Sequence, residues 1–233
     1  MSRFPCDRID QLLDILYNNN IIVMIRILIV DDHPIVREGL NRIIQLEKDI
    51  IVSGMARDAS DAVHFMASCE VDVVILDIAM PGISGLDVIK DLKNLQPAVK
   101  IIMLTMYPEE RFAIRALKAG AFGYLTKETA PDELINAIRV VYSGHNYITP
   151  MIAEKIVTEL QGNGENSLHE RLSSREFEVM CMIGAGKSIN EIAELMSLSN
   201  RTVSTYRARI LKKMNFKNNA MIMRYMIDKG LIE

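Results

Sequence analysis

Val73-Val74-Ile75-Leu76-Asp77, with Met80-Pro81-Gly82 close behind, is the stretch that decides the fold. Its four leading residues carry no charge, and so apolar a run reads as a central strand buried on both faces of a parallel sheet. Pro81 and Gly82 then break the backbone into a loop. Asp77 is thereby delivered to the carboxyl edge of the sheet, where open α/β folds bind their ligands. A second run, Ile25-Arg26-Ile27-Leu28-Ile29-Val30, ends in Asp31-Asp32. If the two strands are neighbours, three carboxylates share one crevice. Like charges that close resist ionising together, and a divalent cation is the natural relief. Mg²⁺ suits such a site because it prefers oxygen ligands and keeps several of its waters.

Working outward, strand and helix alternate. Strands are expected at about residues 25–30, 50–54, 72–76, 100–104 and 122–125, and helices at about 34–46, 59–68, 86–95, 108–118 and 131–142. Pro34, Pro108 and Pro131 stand where a first helical turn accepts proline. Five such units joined by short loops imply a parallel sheet with helices on both faces. The same edge collects two more polar groups. Thr105 ends the strand Ile101-Ile102-Met103-Leu104, and Lys127 follows Phe122-Gly123-Tyr124-Leu125. A hydroxyl and an ammonium beside a cation site are what phosphoryl chemistry needs, one to bond a phosphoryl oxygen and the other to neutralise it.

Downstream the pattern changes. Thr149-Pro150 opens a short helix, and Gly162-Asn163-Gly164-Glu165-Asn166-Ser167 reads as a flexible linker. From Leu172 the chain is helical only. Ser173-Ser174-Arg175-Glu176 is a cap pattern, and helices follow at about 189–196, 200–213 and 218–229. The turn Ser197-Leu198-Ser199 joins two of them into a helix-turn-helix layout, whose second helix enters a DNA major groove. Its outward set is Asn200, Arg201, Ser204, Thr205, Ala208, Arg209 and Lys212. Residues 168–233 carry 11 Lys/Arg against 7 Asp/Glu, while the rest of the chain carries 16 against 23. A basic end on an acidic body suits a polyanionic partner. Met221, Met223 and Met226 read as core or dimer face rather than as a cofactor box.

Three scattered cysteines, Cys6, Cys69 and Cys181, argue against a disulfide framework and a zinc site. A reducing, cytoplasmic setting fits them. No run reaches the roughly 18 apolar residues of a membrane helix. In residues 1–23, Ile9, Leu12, Leu13, Leu16 and Tyr17 fit a short amphipathic helix ended by Asn18-Asn19-Asn20. Met24 stands directly before the first strand. The extension therefore reads as a start-site artefact or a disordered arm no less than as a working element.

On Asp31-Asp32, Asp77, Met80-Pro81-Gly82, Thr105, Tyr124 and Lys127, residues 24–142 resemble a response-regulator receiver domain. The resemblance implies a flavodoxin-like sheet of order 2-1-3-4-5 and phosphorylation of Asp77 by a sensor histidine kinase. It also implies that Asp32, Asp77 and the Ala79 carbonyl hold Mg²⁺ directly and that Asp31 helps through water. Lys127 then pairs with the phosphate, and Thr105 and Tyr124 form the switch. Ala79 and Tyr107 replace the acid or amide that orients water in fast-dephosphorylating relatives, so a long-lived phosphate is expected. Met106 is larger than the residue usual there.

Leu172-Ser173-Ser174-Arg175-Glu176-Phe177-Glu178-Val179, Gly186-Lys187-Ser188, Glu191-Ile192-Ala193 and Thr202-Val203-Ser204 resemble the LuxR/NarL/FixJ helix-turn-helix. The usual Thr-Val-Lys-x-His becomes Thr202-Val203-Ser204-Thr205-Tyr206. Ser204 and Thr205 are expected to read bases. Thr202, Arg207, Arg209 and Lys212 are expected to hold the backbone, with Lys187, Arg201 and Tyr206 at the same interface. Residues 143–169 form the linker and 170–233 the DNA-binding domain.

From Met24 to Glu233 the chain is similar to the GacA/UvrY/LetA group, through Ile101-Ile102-Met103-Leu104-Thr105, Tyr142-Ser143-Gly144 and Thr202-Val203-Ser204-Thr205-Tyr206-Arg207. That similarity implies a hybrid kinase and promoters of small regulatory RNAs. The expected function is a phosphorylation-activated transcription regulator that binds DNA as a homodimer. Without phosphate, the receiver is expected to cover the DNA-binding helix. Three rivals stand beside this. An aspartate-nucleophile phosphatase needs a second acid where Ala79 stands. A regulator that ignores phosphorylation would not need the full acid set, and a flavin module would need a phosphate-cradling loop.

Overall fold

A computed structural model describes residues 24–161 and 167–232. The expectations for residues 1–23 fall outside the described residues, as does most of the glycine-rich linker. Five strands, β1 (Ile25–Val30), β2 (Ile50–Ala56), β3 (Val73–Leu76), β4 (Lys100–Thr105) and β5 (Gly123–Thr126), form one sheet of order β2-β1-β3-β4-β5. All pairings are parallel. The expected order is thus observed, and all four residues of β3 are buried.

Helices α1 (Pro34–Ile44), α2 (Ala59–Met66), α3 (Gly85–Leu95), α4 (Glu109–Ala119) and α5 (Ala130–Tyr142) alternate with the strands. α1 and α5 share a core with Ile27, Ile29, Ile75 and Leu104 on one face of the sheet. α2, α3 and α4 cover the other face, over Leu28, Val74, Leu76 and Met103. Pro108 caps α4 from outside instead of entering its first turn. Gly85 opens α3 against the end of β3, and its N–H donates to the Ile78 carbonyl at 3.0 Å. A Cβ at this position would overlap the Asp77 carbonyl oxygen, so only glycine lets α3 start this close to the strand.

α6 (Pro150–Gln161) leads to a short 3₁₀ turn (Leu168–Arg171) and then to α7 (Ser174–Gly184), α8 (Ile189–Leu195), α9 (Asn200–Met214) and α10 (Asn219–Asp228). Ser173 and Glu176 close a full capping box on α7, and Ser188 and Glu191 do the same on α8. Every residue of α7 is buried, including Arg175, Glu176 and Glu178. A helix buried all round must pack on two bodies. One is its own domain, through Ile192, Val203, Ile210, Ile222 and Met226. The other is the α3–α4 side of the sheet, with which it shares one continuous core.

The docked arrangement corrects one expectation. The receiver covers α7, whereas Arg201, Ser204, Thr205, Ala208, Arg209 and Lys212 of α9 are exposed. Cys181 is a free buried thiol, and burial pushes it up to about 12. Among the described residues, no helix is long and apolar enough to cross a membrane.

Replacing Gly85 with alanine should force α3 away from β3. Overpacking of that kind costs about 2 kcal/mol. Urea unfolding of the receiver should show the loss as a lower midpoint at unchanged slope.

Candidate functional site

β1 and β3 pair in register through Val30 and Leu76. The residue following each strand is an aspartate, so Asp31 and Asp77 emerge side by side. The Asp77 N–H donates to the Val30 carbonyl at 2.9 Å, which continues the ladder to the sheet edge. Lys127 arrives from β5, its N–H donating to the Thr105 carbonyl at 2.9 Å. Its ammonium lies 2.6 Å from Asp31 Oδ2 and 2.7 Å from Asp77 Oδ2. Burial works against that charge, but Asp77 and Asp31 outweigh it and hold Lys127 above the ordinary lysine value.

The remaining oxygens are held by backbone. Asp77 Oδ1 accepts from the Ala79 N–H at 3.2 Å, and Asp31 Oδ1 accepts from the His33 N–H at 2.8 Å. His33 Nδ1 lies 2.8 Å from Asp32 Oδ1. Asp31, Asp32, His33 and Asp77 each offer a ligand atom, all within 4.8 Å of one another. Asp31 Oδ2 and Asp32 Oδ1 are buried and accept no hydrogen bond of good geometry, although Lys127 and His33 stand close. Carboxylate oxygens with spare lone pairs suit a hard divalent cation such as Mg²⁺. Sequence reading passed over His33, whose only signal was its place next to the Asp pair.

Thr105 is fully buried, and its hydroxyl accepts from the Tyr107 N–H at a long 3.4 Å. Tyr124 is also fully buried, and its hydroxyl donates to the Tyr107 carbonyl at 2.8 Å. The Tyr124 ring is therefore already packed inside the fold. Tyr107 is the joint between the two. Its ring stacks on Phe112 at 4.5 Å, and Phe112 meets Phe177 of α7 edge-on at 5.0 Å. Arg115 sits over the other side of the contact, 4.3 Å from the Phe177 ring, and donates to the Leu172 and His169 carbonyls.

A second set of polar contacts ties α7 to the loop after Asp77. Arg175 donates to the Met80 and Gly82 carbonyls and pairs with Glu178 at 2.5 Å. Ser84 donates to Glu178 at 2.6 Å, and Ser174 donates to Asp87 at 2.6 Å. Burial pushes the Glu178 carboxyl up to about 7 against the pull of Arg175. In the sequence Arg175 figured only in a cap pattern and, with Glu178, in the LuxR-type motif, and neither was expected at a contact between domains.

On the C-terminal domain, Lys187, Arg201, Ser204, Thr205, Arg209 and Lys212 are exposed, and Thr202, Tyr206 and Arg207 are half-buried. Ser199 caps α9 by accepting from the Thr202 N–H. The Thr205 hydroxyl donates to the Arg201 carbonyl at 2.8 Å, and Arg207 Nε donates to Asn219 Oδ1 at 2.7 Å. Ser204, Arg209 and Lys212 are therefore the freest of the expected contacts, whereas Arg207 is committed to the start of α10.

Comparison with known proteins bears on both halves. Residues 27–139 match the response regulator receiver domain, and residues 170–226 match the luxR family of bacterial regulatory proteins. The response regulator UvrY of Escherichia coli K12 is 41% identical over 209 residues, 89% of this chain and 96% of that one. The response regulator GacA of Pseudomonas aeruginosa is 34% identical over 211 residues, 90% and 99% of the two chains. The RcsB response regulator of Salmonella typhimurium superposes with a TM-score of 0.60 at 25% identity, over 88% of this chain and 98% of that one. An RcsB–DNA complex reaches a TM-score of 0.54 at 26% identity, over 87% and 98% of the two chains.

Replacing Lys127 with methionine removes the cation between two buried acids. Breaking a buried pair in this way costs about 3 kcal/mol. Urea unfolding without divalent ions should show this loss, and millimolar Mg²⁺ should recover most of it by taking over the neutralising role.

Proposed function

This chain belongs to the response regulators that join a receiver domain to a LuxR-family DNA-binding domain, and we propose that it is a transcription regulator switched by a phosphoryl group on Asp77. The observation that carries this reading is the Asp77 carboxylate, buried at a strand end with Lys127 only 2.7 Å away. The proposed donor is a phosphorylated histidine of a sensor kinase. An Asp77 oxygen forms the new P–O bond as the donor's P–N bond breaks, and the imidazole leaves with the electron pair.

Asp32, Asp77 and the Ala79 carbonyl are the proposed direct Mg²⁺ ligands, with Asp31 acting through water. When bound, the ion neutralises charge that builds up on the transferred phosphoryl group. Lys127 moves from carboxylate to phosphoryl oxygen without leaving the site. The chain assists only its own phosphorylation on this reading, since Ala79 stands where an aspartate-nucleophile phosphatase needs a second acid.

A phosphoryl group brings about −1.5 to −2 charges and three acceptor oxygens. It draws the Thr105 hydroxyl toward itself, away from the weak contact with the Tyr107 N–H. Tyr107 carries the change onward, because its carbonyl anchors Tyr124 and its ring leans on Phe112 against Phe177. A ligand shifts an equilibrium only by its preference for one of two states. Here the two states are the docked and the released C-terminal domain. Docking leaves the outward face of α9 in solvent but sets the bulk of the receiver beside the turn before α9. The N-terminal end of that helix is the part that reaches base edges.

In the released state Ser204 and Thr205 are the proposed base readers. Arg201, Arg209, Lys212 and Lys187 are the proposed phosphate contacts, and Thr202, Tyr206 and Arg207 support the helix that carries them. A two-fold dimer on a two-fold-related site is the expected bound form.

Replacing Asp77 with alanine should abolish the rise in promoter binding that acetyl phosphate produces, read by fluorescence anisotropy; an unchanged rise would reject the mechanism. At the interface, Arg209→Ala should weaken binding to all sequences alike and reduce the salt slope by about 1, whereas Ser204→Ala should relax sequence discrimination at one base position.

A further inference from the structure

A cavity of about 730 Å³ opens between α4 and α6 on one side and the 3₁₀ turn, α7 and the residues after α10 on the other. None of the acids of the phosphoryl site lines it. Arg111, Arg115 and Lys118 follow one another at helical spacing and present one face of α4 to it. Lys155 of α6 and Lys229 beyond α10 add two more cations. Against these stand two carboxylates among the described lining residues, Glu154 and Glu170. Ile114, Met151, Phe177 and Leu231 supply the apolar part of the wall.

Part of that positive charge is already committed. Arg115 donates to the Leu172 and His169 carbonyls and lies over the Phe177 ring. Lys118 pairs with Glu170 at 2.8 Å. Arg111 and Lys229 have no carboxylate partner among the described residues. Two buried groups feel the resulting field. Burial pushes the His169 imidazole down to about 4, and Arg115, Lys229 and Lys118 act in the same sense. On Cys181, Arg111 and Arg115 oppose the upward push of burial. Size narrows the choice of occupant. Small-molecule sites run to roughly 300–1,000 Å³, mostly apolar, with a few polar groups that fix orientation. This cavity falls in that range and joins an aromatic and aliphatic wall to surplus positive charge. Its complement is a flat apolar body that carries one anionic group.

We propose that this cavity is a binding site for a small amphipathic anion, an aromatic carboxylate whose charge is met by Arg111 and Lys229 and whose rings lie against Ile114, Phe177 and Leu231. The inference goes beyond the phosphoryl switch at Asp77 and does not depend on it. It assigns the space between two packed bodies an occupant and a chemistry, which their contact alone does not. Arg111 and Lys229 are binding residues on this account. Arg115 is a positioning residue, since its donors hold the 3₁₀ turn and its plane holds the Phe177 ring. The carboxylate exchanges water for charge-assisted hydrogen bonds, which are the stronger kind. The rings exchange water for apolar wall, and that part of the affinity is indifferent to charge. The two contributions can therefore be measured apart.

The test is isothermal titration calorimetry of the full chain with naphthoate, and with naphthamide as its uncharged counterpart. Naphthoate should bind saturably and about ten-fold more tightly than the amide, the margin that hydrogen bonds to a charged group supply. Rising salt should weaken naphthoate alone. Arg111→Gln should remove most of the margin and leave amide binding as it was. Where Arg111→Gln unfolds by circular dichroism, Lys229→Gln is read by the same criterion. Absence of saturable naphthoate binding, or equal affinity for the two probes, would overturn the site. Methyl resonances of the full chain then locate the ligand. Those of Ile114 and Leu231 should shift along the calorimetric saturation curve. Shifts confined to Met221 and Met223, which are exposed on α10, would mark adsorption there and overturn the assignment as well.

Discussion

Two carboxylates forced together at the end of a sheet are the constraint on which the rest of this structure depends. Parallel pairing of β1 with β3 leaves Asp31 and Asp77 adjacent in a place that water barely reaches. Repulsion there is tolerable only because Lys127 is brought across from β5 to bridge both. Such a site is balanced rather than inert. A cation, a phosphoryl group and an ammonium all compete to satisfy the same few oxygens, and each changes what the neighbouring loops must do. The loops after β3 and β4 carry those changes outward, and both touch α7.

Helix α7 is where the two halves become one object. Its apolar residues merge the core of the C-terminal domain with that of the α3–α4 face. Its polar residues fasten that seam to the loop beyond Asp77. A large apolar seam alone would be hard to part, because nothing in it responds to charge. Buried pairs such as Arg175–Glu178 give little net stability against water, yet they fix one geometry and lose their value when that geometry shifts. The combination gives a docked state that is well defined and still sensitive to a change a few ångströms away.

Much of this was legible from the residues in order. The charge-free run before Asp77 and the first-turn prolines Pro34 and Pro131 specify an alternating parallel fold, because each is a local rule that the structure obeys. The acid, threonine and lysine set is legible for the same reason, since strand ends of one sheet share an edge. The docking was not. Arg175 and Glu178 read only as parts of a helix cap and a family motif, because nothing local says that a second body will bury them. Tyr107 was noticed for what it lacks rather than for joining Thr105, Tyr124 and Phe112. Burial of α9 was expected and burial of α7 is found. The sequence marks which helix carries contact residues, but not which face of a small domain meets its neighbour.

The single free thiol of the C-terminal core has a practical meaning in this light. Cys181 sits on the α7 seam, within the field of Arg111 and Arg115 from α4 and of Glu178 from its own helix. Only a thiolate attacks an alkylating reagent, and burial pushes this thiol up to about 12. Separation of the two bodies hydrates that surface and removes the burial that suppresses ionisation. The chain therefore contains its own chemical gauge of closure, in which the speed of alkylation at one native atom records how often the seam comes apart.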